Sequence, residues 1–321
     1  MYRQMARISL SADRLASPAV DGREQAGTAS RRLIENMGPL RSAVKSDAGQ
    51  YLIQTARGAR VVRESLRFAA LQTGPRRVAG YHLRDSGAMV FLRHRTRDVN
   101  ILNEIFGGTG GHDSYEPPEP VARLLDSKPA PVIFDLGGNI GLFAVYALGR
   151  WPGSTVQSFE PDPTNLAVLR QTFAENELGE RWSFSDVAVS NEKGELEFVA
   201  GLSADSYLSG GVGGGEVDTS AETTAGGHTI TVQTVDFFAT EPRGDLLKMD
   251  IEGGEWAILT DPRFAELKVD ILVMEWHARG CPFPDPHEGI VRLLRQSGYD
   301  HLEEISGASG SGSGVLWAWK E

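Results

Sequence analysis

The chain has 321 residues and a mass of 34.8 kDa, 40% hydrophobic and 23% charged, which allows a full buried core and fits an ordinary soluble globular protein. A formal net charge of -11 and a pI near 5.2 argue against DNA or RNA as a partner and favour a small or neutral substrate. A single cysteine, Cys281, excludes an intrachain disulfide and suits a reducing cytoplasm. Its setting, Arg279-Gly280-Cys281-Pro282, reads as a turn carrying an incidental thiol. The first residues lead into no signal-peptide apolar run, and no stretch reaches the ~20 apolar residues of a membrane-spanning helix. The expectation is therefore a cytoplasmic protein with neither nucleic acid nor membrane as partner; its oligomeric state is not written in the sequence.

Residues 1–75 are rich in Arg, Ala and Ser, with helical periodicity around Arg31–Met37 and Val61–Leu71, and Gly74-Pro75 stops any helix. Tyr81–Arg84 and Ala88–His94 straddle Asp85-Ser86-Gly87, a hairpin signal. Asp98 reads as the cap of a helix over Val99–Phe106, closed by Gly107-Gly108. A loop rich in Gly and Pro, 107–120, ends this N-terminal extension, helical and then a β-hairpin and helix, which is expected to cover substrate or cofactor. A second domain, 121–321, follows.

From Pro131 short apolar runs alternate with helical patterns. Strands are expected at Val132–Leu136, Val156–Glu160, Trp182–Val189, Leu246–Ile251, Asp270–Glu275, His301–Ile305 and Val315–Trp319. Helices are expected up to Leu148 and at Pro163–Asn176, Glu255–Thr260 and His287–Ser297. Such alternation predicts an α/β fold, a mostly parallel sheet wound by right-handed crossovers. The last two strands have no helix between them, so they form an antiparallel hairpin at the sheet edge. Between the third and fourth strands lies an irregular insertion with a Gly-rich part near 203–229. Within it, Gly210–Gly227 reads as either a linker or a flap over a site.

The run Val132–Gly141 reads as a buried strand, a tight glycine turn and a helix start, the arrangement of a nucleotide-type ligand site. Its spacing is Asp-x-Gly-x-x-x-Gly, from Asp135 through Gly137, Gly138 and Asn139 to Gly141. The dinucleotide pattern Gly-x-Gly-x-x-Gly does not fit, because Asn139 stands where its second glycine would be. Asp135 at the strand end would repel a pyrophosphate but not a sulfonium or an ammonium. Glu160 ends the next strand about 20 residues on, where an acid meets a ribose hydroxyl pair. Asp186 ends the third strand, where it would accept an adenine amino group while Val187 packs on the ring.

Asp135-Leu-Gly-Gly-Asn-Ile-Gly141, Phe159-Glu160-Pro161-Asp162, Val187-Ala-Val-Ser190 and Leu247-Lys248-Met249-Asp250-Ile251-Glu252-Gly253-Gly254-Glu255 together resemble the FkbM family of methyltransferases, over roughly residues 80–300. Upstream, Leu92–Asp98 and Ile105-Phe106 resemble the Arg- and Asp-containing lead-in of that family. Gly138 stands where the family commonly has Ala, a change expected to preserve the turn. The resemblance implies a Rossmann-like class I methyltransferase fold with seven strands. It also implies S-adenosylmethionine as cofactor, S-adenosylhomocysteine as product, and O-methylation of a small molecule such as a secondary metabolite, sugar or glycan. Asp135, Gly137, Gly138, Asn139, Gly141, Glu160, Pro161, Asp186, Val187 and Asp250 are then the expected cofactor-binding set.

Ligands of open parallel sheets bind beyond the carboxyl ends of the strands. Alternation along Leu246–Ile251 puts Lys248, Asp250 and Glu252 on one side, and the next strand ends with Glu275 and His277. An alcohol acceptor must lose its proton, so Asp250 is the first candidate base, with Lys248 orienting it or steadying charge, and His277 is the rival. Asp250, Glu252, Glu275 and His277 are also side chains of the kind Mg²⁺ or Mn²⁺ accepts, so they allow a divalent metal, but no spacing is diagnostic and metal dependence is not the favoured reading. Trp256 and Trp276 read as core. The alternatives are a metal-assisted or nitrogen-directed methyltransferase, or a non-catalytic binding module with the same fold.

Overall fold

The computed structural model describes residues 47–107, 114–201, 207–208, 227–307 and 310–321. The periodicity around Arg31–Met37, the middle of the 107–120 loop and nearly all of the Gly-rich stretch 210–227 lie outside the described residues. The chain divides into two compact units, Met1–Leu52 and Ile53–Glu321; the second holds the β-hairpin and both larger sheets.

The helical pattern before Gly74 is broken into α1 (Asp47–Val61) and α2 (Ser65–Gln72). The break is where the chain leaves the helix to pair with the hairpin. Val62 bridges Leu83, Arg63 N–H donates to His82 O, and Arg84 N–H donates to Val61 O. The hairpin is β1 (Val78–His82) against β2 (Met89–Arg93), antiparallel, with Gly87 at φ +76° in its turn. Its buried residues alternate along both strands, so one face is core. In α3 (Asp98–Phe106) Asp98 does not cap the helix as expected. Its fully buried carboxylate turns back instead and accepts from Arg93 N, Nε and Nη2 at 2.8, 2.9 and 3.0 Å. α4 (Glu119–Asp126) leads into the main sheet.

There the order is β3 (Val132–Leu136), α5 (Leu142–Arg150), β4 (Thr155–Phe159), α6 (Pro163–Glu175) and β5 (Trp182–Ser185). The Asp162 side chain caps α6 by accepting from Thr164 N–H at 2.7 Å, and Pro163 opens it. The run Trp182–Val189 is not one strand. It splits at Asp186-Val187, and β6 (Ala188–Ser190) departs into a second sheet. The stretch expected to be irregular supplies the rest of that sheet: β7 (Gly194–Ala200), β8 (Tyr207–Leu208) and β9 (His228–Asp236), in the order β6-β9-β7-β8. Alternation in Glu-Leu-Glu-Phe-Val-Ala and Thr-Ile-Thr-Val-Gln-Thr-Val carries these strands and buries Phe198, Ala200 and Val232.

β10 (Arg243–Met249), α7 (Glu255–Leu259), β11 (Lys268–His277), α8 (Pro286–Gln296), β12 (His301–Ser306) and β13 (Ser313–Trp319) complete the chain. The main sheet has seven strands in the order β12-β13-β11-β10-β3-β4-β5. Pairing is parallel from β11 to β5; β12 and β13 form the antiparallel hairpin that the sequence predicts, and β13 also runs antiparallel to β11. Successive strand residues face opposite layers. Leu246, Ile271 and Val273 join α5 and the hairpin in one core, while Leu247, Met249, Leu272 and Met274 join α7 and α8 in the other. Trp256 and Trp276 are buried in the second. Asp135, Lys248 and the end of β11 thus reach the carboxyl edge of the sheet between two packed layers.

Candidate active site

Beyond Leu136 the chain turns through Gly137 (φ +84°), Asn139 (φ +48°) and Gly141 (φ +86°). All five N–H groups of this turn are taken by the chain itself. Gly137 and Gly138 donate to Phe159 O at 3.0 and 2.8 Å, and Asn139 donates to Glu160 Oε2 at 2.8 Å. Ile140 donates to Asn139 Oδ1 and Gly141 to Gly138 O, each at 2.8 Å. The turn itself offers no N–H to a pyrophosphate. A Cβ at Gly137 would sit 1.7 Å from the backbone oxygen of Asp250, and one at Gly141 2.6 Å from the Trp182 ring. At Gly138 a Cβ would lie 3.0 Å from Ser158 Cβ, so an alanine there needs Ser158 to yield slightly.

Asp135 is 0% exposed. It accepts from Ser158 Oγ at 2.8 Å and faces Lys248 Nζ at 3.2 Å, the residue opposite it in the parallel β3–β10 pair. Lys248 Nζ also donates to Gly137 O at 2.6 Å and Leu136 O at 3.3 Å, and lies 3.9 Å from Asp250 Oδ2. Burial pulls its pKa down, but Asp135 and then Asp250 outweigh that and leave the ammonium's pKa raised. Lys248 therefore remains a cation that ties the turn to Asp135 more closely than it touches Asp250.

β10 ends at Met249, so Asp250 and Glu252 do not continue an extended strand; Glu252 is left-handed at φ +53° and Gly253 at +101°. Glu255 holds this loop. Its Oε1 accepts from Ile251 N–H at 3.1 Å, its Oε2 from Gly253 N–H at 2.9 Å, and Oε1 also pairs with His277 Nδ1 at 3.2 Å. The Lys248–Glu255 motif alone assigns Glu255 no role. The signal was there, since an acid in the first turn of a short helix reaches back to the N–H groups before it.

A cavity of about 430 Å³ opens here, walled by the glycine turn, Lys248, Asp250, Glu252, Glu275 and His277. Two further walls, Glu104 on α3 and Tyr115 after it, had no sequence signal as site residues. The Tyr115 hydroxyl lies 3.4 Å from Asp250 Oδ2, and its ring packs against Phe143 with centroids 5.4 Å apart. Burial and then the Asp250 charge push its phenol well above the usual range. The same two causes raise Glu252 and Glu275 to about 8. For His277 burial opposes the charge, but the Glu255 bond, then Glu255 and Glu252 as charges, hold it at about 10. His277 Nε2 is 3.3 Å from Glu252 and 3.8 Å from Glu275. At neutral pH it is an imidazolium and donates rather than accepts. Asp250, Glu252 and His277 each bring one atom within 4.8 Å of the others, so the three could face one divalent cation once that proton left.

Glu160 is 4% exposed and not at the surface. It accepts from Asn139 N–H and Asp162 N–H, both at 2.8 Å, and from Asn165 Nδ2 at 3.2 Å, with Pro161 half-buried beside it. Burial pushes its carboxyl to about 7. Asp186 is exposed, 3.7 Å from Arg170, and Val187 is half-buried against the layer that holds Phe159 and Val189. Cys281 is half-buried, with Sγ 3.4 Å from Phe283 O, and burial raises its thiol. Among the described residues no helix is long and apolar enough to cross a membrane.

Residues 135–300 match the family model described as the methyltransferase FkbM domain. The 31-O-demethyl-FK506 methyltransferase FkbM of Streptomyces tacrolimicus is 28% identical over 207 residues, covering 56% of this chain and 76% of its own. Methyltransferase sdnD of Sordaria araneosa is 26% identical over 196 residues, 53% of this chain and 74% of its own. The crystal structure of a methyltransferase FkbM from Methylobacillus flagellatus superimposes with a TM-score of 0.41 at 13% identity. That match covers 86% of this chain and 60% of the other. The family match and the seven-stranded sheet, parallel but for β12 and β13, make the fold that of a Rossmann-like class I methyltransferase.

Proposed function

Because the chain belongs to the FkbM methyltransferase family, we propose that it methylates a hydroxyl of a small molecule from S-adenosylmethionine, with Asp250 as the base. The observation that carries this reading is the contact between the glycine turn and Asp250. Gly137 packs on the Asp250 backbone, so the base stands directly beside the cofactor wall.

The residues fit this cofactor. The N–H groups of the turn are spent within the chain, and the cavity beside it is lined by Glu104, Asp250, Glu252 and Glu275, whose oxygens can accept from the ammonium of such a ligand. Gly137, Gly138 and Asn139 would wall its amino-acid end with buried Asp135 and Gly141 holding the turn behind them, Glu160 and Pro161 would take its ribose, and Asp186 and Val187 its adenine. The cofactor supplies a methyl group on a sulfonium, a leaving group that needs no activation. The chain's own work is then to hold the acceptor in line and take its proton. Asp250 accepts that proton, Lys248 keeps Asp135 and the turn in place, and His277, held as a cation by Glu255, is a donor beside Glu252 and Glu275. Of the relative named for 31-O-demethyl-FK506 we extend only the class, O-methylation of a small molecule.

Incubation with methyl-labelled S-adenosylmethionine and a panel of hydroxylated macrolides and sugars, 31-O-demethyl-FK506 among them, tests this. Label in a methyl ether supports it; label only on nitrogen overturns it. A second, metal-assisted reading is favoured by the Asp250, Glu252 and His277 triplet, and chelation separates the two.

A further inference from the structure

A chain of buried hydrogen bonds runs from the N-terminal hairpin to the glycine turn. The Asp98 carboxylate grips the Arg93 guanidinium through Nε and Nη2 at 2.9 and 3.0 Å. The same Nη2 donates to Asn165 Oδ1 at 2.7 Å. Asn165 Nδ2 donates to Glu160 Oε1 at 3.2 Å, and Glu160 Oε2 accepts from Asn139 N–H at 2.8 Å. Asp98, Asn165 and Glu160 are all buried, and the Arg93 side chain is nearly so.

A guanidinium has only donors, so the Asn165 oxygen must face Arg93. That leaves its NH₂ for Glu160, where a flipped amide would set donor against donor on one side and acceptor against acceptor on the other. A buried ion pair is weak evidence for stability in itself. A relay of three buried polar groups and a nearly buried guanidinium, ending on one carboxylate, is better explained by position. Arg93 and Asp98 both precede the matched span 135–300, and the hairpin is seated on α6 by Met89 N–H to Asn176 Oδ1 and Phe91 N–H to Thr172 Oγ1.

We propose that Arg93 is a positioning residue of the cofactor site, acting through Asn165 to aim the Glu160 carboxylate; this rests on Glu160 taking the cofactor's ribose. Arginine suits the task because one planar fork serves Asp98 and Asn165 together, which a lysine cannot do. The charged groups that face Glu160 are Asp162 beside it and Lys248 across the turn. Asn165 thus adds a neutral donor that favours the ionised carboxylate without adding charge.

The test is calorimetric titration of the full chain with S-adenosylhomocysteine from pH 6 to 9. Arg93→Lys keeps a cation for Asp98 and removes the fork. Its affinity at pH 7 should fall about tenfold, the loss of a hydrogen bond to a charged group. The wild-type affinity should fall off below about pH 7, where Glu160 protonates, and in the variant this fall-off should begin at higher pH. A role in folding alone would lower the melting temperature and leave the pH dependence unmoved; that result, or unchanged affinity, overturns the proposal. If Arg93→Lys does not fold, Asn165→Ala is read by the same criteria. Glu160→Ala separates the two levels. Full affinity in Glu160→Ala removes the ribose reading, whereas lost affinity there with an unaltered Arg93→Lys removes only the relay.

Discussion

The α-carbon of Gly137 faces the backbone oxygen of Asp250 so closely that a Cβ would lie 1.7 Å from it. The turn that ends β3 and the loop that ends β10 are therefore one packed unit. Only a glycine, which also tolerates φ +84°, lets them meet.

Gly137→Ala should lower stability by about 1–3 kcal/mol from backbone strain alone, and by more from the clash. Thermal melting and S-adenosylmethionine calorimetry should show both losses together. A variant that melts and binds like the wild type would mean the two loops are not locked.

Asp250→Ala should retain S-adenosylhomocysteine affinity and lose turnover by about 10²–10⁴-fold, the usual worth of a positioned base. Labelled methyl transfer and calorimetry on the same sample separate the two effects. Normal turnover would remove Asp250 as the base.

The cluster around His277 gives stability a definite pH sign. The imidazole's folded value of about 10 lies above its unfolded value near 6.5, so its contribution is complete below pH 6.5 and lost as pH climbs through about 10. Glu252 and Glu275, raised to about 8, act in the same direction over pH 4.5 to 8. Melting temperature should thus decline from pH 5 to 10, and Glu275→Gln should flatten the part below pH 8. A rise with pH over that range contradicts the assignment.

Thorough chelation should leave methyl transfer unchanged. Activity that is lost and then restored by Mg²⁺ or Mn²⁺ would move the account to the metal-assisted reading.

The main sheet was legible because its strands are apolar on both faces and its glycine turn has a rare spacing. The second sheet was not, because β7 and β9 carry only alternating patterns on either side of a Gly-rich stretch that dominates the composition. Asp98 misled for a physical reason: a helix-start aspartate looks the same whether it caps or turns back to an arginine five residues earlier. Glu160 stood out by spacing, but its burial and its three donors are tertiary facts. Glu104 and Tyr115 reach the cavity only through the packing of α3 and the segment after it, and no local pattern encodes that. The sequence shows alternation through Glu252, which is why it predicts a strand over the Asp250 loop. The left-handed turn there depends on Glu255 and on the glycines around it.

The most direct measurement is calorimetric titration of the wild-type chain with S-adenosylmethionine and, separately, with NAD. Saturable binding of S-adenosylmethionine at one site with no heat from NAD is the predicted result. Tight NAD binding with none for S-adenosylmethionine would contradict the account at its root.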